Sequence, residues 1–173
     1  MRSVEASRLI RRDVRRQRTA EERSMDQPTA EEALRTLERL VGEWTLEARW
    51  PSGEPWPGGG RATFEWLPSQ AHLIERTTAD LPEAPDSISI IGCDGANGTY
   101  VQVYSDERGV CRIYEMSLSA NEWTLRREGE PFSQRFTATI SDDGNTITGR
   151  WEIAEDFTNY TTDFDLIFRR VVS

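Results

Sequence analysis

The chain has 173 residues, a formal net charge of −9, and 21 basic residues that are all Arg, with no Lys; its length suits one domain with a real core. The missing Lys removes a Walker-type phosphate site, Schiff-base catalysis and a pyridoxal phosphate anchor, and the acidic balance argues against nucleic acid binding by the folded part. No apolar run approaches the ~20 residues of a membrane span and no apolar h-region follows the N-terminal charges, so a cytoplasmic chain with no membrane partner is expected.

Residues 1–24 hold eight Arg and four acids and almost no apolar side chains. Residues 1–27 therefore read as a disordered basic tail, or as sequence ahead of a true start at Met25, and are expected to be dispensable for folding. A basic arm touching nucleic acid or acidic lipid is the sharper alternative; Glu5, Asp13, Glu21 and Glu22 weaken it. Residues 28–173 read as a single domain.

That domain opens with a helix over 28–41. Thr29 and Glu32 have capping-box spacing, Leu34, Leu37, Leu40 and Val41 form one apolar stripe, and Gly42 ends it. One greasy stripe just before a train of strands predicts a helix that covers one end of a β structure.

Strands are predicted at 43–50, 61–67, 72–79, 86–93, 99–105, 110–117, 121–128, 133–140, 145–152 and 160–169. The first alternates cleanly, with Trp44, Leu46, Ala48 and Trp50 against Glu43, Thr45, Glu47 and Arg49. Turns such as Asn97-Gly98, Arg108-Gly109 and Asp143-Gly144-Asn145 supply residues that tolerate positive φ. Short links favour pairing of sequence neighbours, so the predicted fold is all-β: an up-and-down antiparallel barrel of about ten strands with a short N-terminal helix. The two cysteines, Cys93 and Cys111, read as reduced, semi-buried strand residues.

Gly42-x-Trp44 directly after a short helix, with an Arg-flanked last strand, resembles the calycin superfamily. Arg61-Ala-Thr-Phe-Glu-Trp66, Ile91-Gly-Cys-Asp94, Arg108 to Met116 and Thr148-Gly-Arg-Trp151 make the chain similar, over about residues 31–171, to a bacterial lipocalin-like family without a settled activity. The resemblance implies a barrel with an interior, hence a small-molecule ligand. Nitrobindin is a more distant relative whose barrel carries further glycines on the first strand and a haem-ligating His near the C-terminus. This chain has Leu46 and Ala48 at those glycine positions, and its single histidine is His72, on the third strand. Haem binding is accordingly a minority reading, and no cofactor and no metal are expected.

Tyr100, Gln102 and Tyr104 share one face of a middle strand; Arg112, Tyr114 and Met116 share one face of the next. Such faces suit either exterior packing or a wet pocket lining, and alternation alone leaves both open. The interior assignment is preferred, because the opposite β-branched faces fit under a covering helix or a homodimer contact. Arg135 beside Phe136 and Arg150 beside Trp151 pose the same choice. An interior Arg needs a partner, with Glu65, Glu75, Glu115 or a ligand acid as candidates. His72 reads as a rim histidine with a local hydrogen bond, or as a general base.

The candidate pocket set is Trp44, Trp66, His72, Gln102, Tyr104, Arg112, Tyr114 and Trp151. The expected role is binding of a partly apolar, carboxylate-bearing small molecule, in preference to catalysis. Two alternatives stand beside it: a cofactorless isomerase or cyclase using barrel Tyr, Arg and His, and a scaffold whose outer sheet forms a homodimer. Asp142-Asp143-Gly144-Asn145 reads as a hairpin turn, and Gly58-Gly59-Gly60 as a flexible crossover.

Overall fold

The computed structural model describes residues 30–95 and 97–172. The basic tail, Met25 and the Thr29 cap lie outside the described residues. Helix α1 runs Ala30–Leu37 and buries Ala33 and Leu37. The chain then tightens into i→i+3 turns, with Leu40 N donating to Leu37 O at 3.0 Å and Val41 N to Glu38 O at 3.2 Å. The regular helix thus stops short of the predicted Val41, because the tighter turns carry Leu40 into the core before Gly42, at φ 127°, redirects the chain.

Ten strands follow: β1 Gly42–Arg49, β2 Gly60–Trp66, β3 His72–Ala79, β4 Ser87–Asp94, β5 Thr99–Asp106, β6 Cys111–Leu118, β7 Glu122–Arg127, β8 Ser133–Ile140, β9 Thr146–Ala154 and β10 Thr161–Arg170. Each pairs antiparallel with its chain neighbours, and β1 pairs with β10 (Leu46 opposite Phe168) to close the barrel. Closure leaves no unpaired sheet edge. The ten predicted strands are borne out, with ends within two residues of those expected.

The helix covers the end of the barrel where β1 and β3 begin. Three side chains tether it and the turn that follows it: Trp44 Nε1 donates to Leu40 O at 2.9 Å, Tyr100 Oη to Ala33 O at 2.8 Å, and Trp66 Nε1 to a Glu38 carboxylate oxygen at 2.7 Å. Beneath it the core is aromatic, with Trp123 edge-on to Phe64 and Phe136 at centroid distances of 6.1 and 5.2 Å. Such pairs add to simple area burial.

Gly149 has a packing reason to be glycine. A Cβ built there would lie 2.3 Å from the Phe136 ring and 2.9 Å from Ala138 Cβ. Phe136 is wedged between Trp123 and Trp151 and has nowhere to retreat. Gly149→Ala is therefore expected to destabilise the protein by about 1–3 kcal/mol, the usual cost of overpacking. Equilibrium urea unfolding checks this; a change below about 0.5 kcal/mol, the scatter of neutral surface substitutions, contradicts the wedge.

The outer faces carry the charges. Arg135 forks onto Glu152 (2.6 and 2.9 Å) and Arg150 onto Asp165 (2.6 and 3.0 Å). Both arginines thus point outward, and each pair holds its carboxylate below the ordinary range through the guanidinium hydrogen bond. The β-branched faces of β5 and β6 are also outside, leaving Val101, Val103 and Ile113 exposed. Cys93 is half-buried as expected, but Cys111 is exposed, because its parity on β6 puts it with Ile113 and Glu115. Among the described residues, no helix is long and apolar enough to cross a membrane.

Candidate functional site

Inward-facing positions change character along the barrel axis. Near α1 they are sealed: Trp44, Phe64, Leu73, Ile91, Ile147 and Phe168 are at most 3% exposed. Toward the other end, Ala48, Thr77, Tyr104, Arg112, Trp151 and Phe164 occupy the same inward parity yet are only half-buried. Inward side chains are therefore sealed under the helix and reach solvent toward the opposite, more open half.

The inward faces of β5 and β6 are the polar-aromatic ones. Register sets Gln102 opposite Tyr114 and Tyr104 opposite Arg112. Gln134 of β8 ties the two β6 side chains together, accepting from Arg112 at 2.6 Å and from the Tyr114 hydroxyl at 2.8 Å. Burial raises the Tyr114 pKa, opposed by Arg112. The Arg112 guanidinium also lies 4.7 Å from the Phe132 ring centroid. Among the described residues it has no carboxylate partner. Glu65 pairs with Arg76 on the outside at 2.7 Å, and Glu115 is exposed.

An aromatic wall stands beside this polar group. Trp151 packs on Tyr114 (5.7 Å), Phe136 (5.0 Å) and Phe164 (6.5 Å). The long β1–β2 connection then brings Trp56 to 4.9 Å from Phe164, with Trp50 stacked on Trp56 at 4.7 Å.

Deeper in, β3 contributes Glu75, 8% exposed. One carboxylate oxygen accepts from Gln102 Nε2 at 3.1 Å, and that nitrogen also reaches Ser89 Oγ at 3.0 Å. Loss of solvent pushes the Glu75 pKa up to about 7, although hydrogen bonds from Ser89 and Thr77 pull the other way. On β5, Tyr104 donates to Asp106 at 2.9 Å. Burial first, and then Asp106, push this phenol up to about 12. Asp106 is clamped by the Arg108 side chain (2.7 and 3.2 Å) and by the backbone N–H groups of Arg108 and Val110, which hold it down to about 2. Asp106 is thus an ionised, neutralised anchor, and Glu75 is an acid poised near neutrality.

Of the eight residues singled out from sequence, Gln102, Tyr104, Arg112, Tyr114 and Trp151 meet in the open half. Trp44 and Trp66 lie at the capped end instead; Trp66 borders a shallow groove along α1 with Leu34 and Glu38. His72 lies apart from them. It sits exposed on the outer face, its Cδ2 near Gly92, because Leu73 and Glu75 take the inward parity of β3. It cannot reach the Tyr104–Arg112 pair through the barrel wall.

Gln134 and Phe164 join the site although neither is among those eight. Phe164 has a readable signal, since it alternates with Leu166 and Phe168; Gln134 has none. With the chain's single histidine outside, a His-ligated haem does not fit this interior, and the inner phenols Tyr104 and Tyr114 already donate to Asp106 and Gln134. Among the described residues, no group of three or more His, Cys, Asp or Glu is placed to hold a metal ion.

The fold has a solved counterpart. It is similar to the crystal structure of Rv2717c from M. tuberculosis, with a TM-score of 0.56 and 12% sequence identity, over 81% of this chain and 98% of that one. At that identity the likeness concerns the fold alone. No family model matches the sequence, and no curated protein matches it.

Proposed function

We propose that the open half of this barrel reversibly binds a small, partly apolar molecule, with Trp151 and Phe164 supplying contact area and Arg112 fixing an acidic group. The observation that carries this reading is the gradient along the barrel axis. Side chains of one inward parity are sealed at the helix end and accessible at the other, where they are aromatic and polar together. A half-buried Arg without a carboxylate partner suits a ligand carboxylate, which its planar fork grips in two places. The calycin reading is supported by the residues that first suggested it. The Arg170 guanidinium lies 4.1 Å from the Trp44 ring centroid, and its Nη2 donates to Arg39 O at 2.7 Å beside Gly42. The isomerase-type alternative loses its histidine, since His72 faces outward.

The test is a titration of apolar carboxylates, alcohols and amines, followed through tryptophan emission and confirmed by calorimetry. Arg112→Met keeps most of the stem volume and is expected to leave the melting temperature nearly unchanged. It should weaken an apolar carboxylate by about 1.5–3 kcal/mol, the range for a hydrogen bond to a charged group. If no member of the panel binds, or if the Met variant binds the carboxylate as tightly as wild type, the reading is wrong. A barrel filled by its own side chains, acting as a scaffold, then takes its place.

A further inference from the structure

Beyond Arg112, the open half contains a second set of polar atoms whose hydrogen bonding is incomplete. Glu75 is buried with neutral partners only: Gln102 Nε2, Ser89 Oγ, and Thr77 Oγ1 at 3.4 Å. Among the described residues no Arg pairs with it. Beside it, Gln102 Oε1 is buried and has no donor among the described residues, on a side chain only 5% exposed. A buried acceptor left without a donor costs the full desolvation of that group.

Among the described residues, the two strands flanking β3 set no cation against Glu75 either. The β2 positions facing Glu75 are apolar Ala62 and Phe64, and β4 supplies Ser87, Ser89, Ile91 and Cys93. On β5, the Tyr104 hydroxyl is spent on Asp106, and the Asp106 charge is neutralised by Arg108. Arg112 stands on β6, separated from β3 by β4 and β5, and is bonded to Gln134. Among the described residues, the side chains that floor the open half beside Glu75 therefore leave one acceptor unmet and set no positive charge against the carboxylate.

We propose that Glu75 and Gln102 form a subsite for a protonated amine, so that the ligand of this barrel carries a basic nitrogen donating to the Glu75 carboxylate and to Gln102 Oε1. This rests on the cavity reading above and specifies its ligand; it holds whether or not an acid also sits at Arg112. An ammonium group supplies up to three donors and a positive charge, which are the two things this floor lacks.

Binding is then linked to ionisation of Glu75. The free carboxyl, held near neutrality by burial, must give up its proton to receive the ammonium. Amine affinity should rise with pH up to about 7 and level off above it, falling about tenfold per pH unit below.

The experiment compares three matched probes by calorimetry: 2-phenylethylamine, 2-phenylethanol and 3-phenylpropionate, each at pH 6 and pH 8. At pH 8 the amine is expected to bind at least about tenfold tighter than the alcohol, with the gap closing at pH 6. Glu75→Gln should erase both the preference and its pH dependence, and should not weaken 3-phenylpropionate. Should that variant fail to fold, the wild-type pH profile still decides. Equal binding of amine and alcohol at pH 8 overturns this inference and leaves the cavity reading standing. A preference for the alcohol, as a reversed Gln102 amide would produce, overturns it in the same way. No binding by any of the three overturns the cavity reading and this inference with it.

Discussion

Arg170→Met is expected to cost about 2–4 kcal/mol of stability, by the loss of several charge-assisted hydrogen bonds and one cation–π contact. The side chain joins its own strand to two segments far away in sequence. Its guanidinium donates to Val41 O and Arg39 O after α1, its Nε donates to Gly144 O in the β8–β9 turn at 3.1 Å, and its plane covers the Trp44 ring of β1. The backbone of Arg170 adds a bond to Asn145 O at 2.9 Å. Burial and nearby Arg39 lower the Arg170 pKa, but a guanidinium stays charged throughout the working range. Met restores the stem volume and none of the donors, so the carbonyls it abandons turn to solvent or go unmet.

Arg170→Lys should recover less than half the loss, because an ammonium neither forks between two turns nor stacks as a plane. Gly42 belongs to the same device: a Cβ there would meet the Arg170 guanidinium at 2.8 Å, on a backbone already at φ 127°. Urea unfolding of the three proteins at one pH measures the effect. A Met variant within about 0.5 kcal/mol of wild type removes Arg170 from any closing role.

Glu75→Gln is expected to stabilise the free protein at pH 8 and to leave it nearly unchanged at pH 4.5. The folded-state pKa, about 7, lies above the ordinary 4.5, so the folded protein holds this proton more tightly than the unfolded chain. Its stabilising contribution is complete below pH 4.5 and is lost as pH rises through about 7. By linkage, wild type gives up on the order of 3 kcal/mol across that window, which a glutamine cannot lose because it never ionises.

The depressed carboxylates do not obscure the window. Asp106, held at about 2 mainly by its Arg108 hydrogen bond, contributes stability that fails only as pH falls through that value. Asp163, raised by burial, is present in both proteins and cancels in the comparison. Denaturant melts of both proteins at the two pH values are the measurement; an equal difference at both would mean that Glu75 is hydrated and titrates normally. A buried acid that lowers stability at neutral pH, where a neutral isostere would not, is the pattern of a residue kept for a site rather than for the fold.

The strands were legible because period-two alternation and glycine- or asparagine-containing turns are local properties. Ten short strands with short links leave an up-and-down sheet few alternatives to closing on itself. The capped end was legible too, from the Leu34–Leu37–Leu40 stripe ahead of the first strand. Parity along β1 placed Trp44 and Leu46 inside because its other face is fully polar.

The faces of β5 and β6 were not decidable in that way. Both alternate, but one face mixes Tyr with Gln or Arg and the other mixes Val or Ile with Glu, so hydropathy names two faces without saying which is inside. Only closure of the barrel decided it, sending Tyr104, Arg112 and Tyr114 inward and Ile113 and Cys111 to the surface. Level along the barrel axis was equally hidden. It follows from the register of every strand pair in turn, which puts Trp44 and Trp66 under the helix and Trp151 in the open half. The same register turned His72 outward, left Glu75 without a cation, and carried Arg170 across to Trp44. A residue's neighbours on its own strand set its parity, while its partners several strands away set its burial and charge.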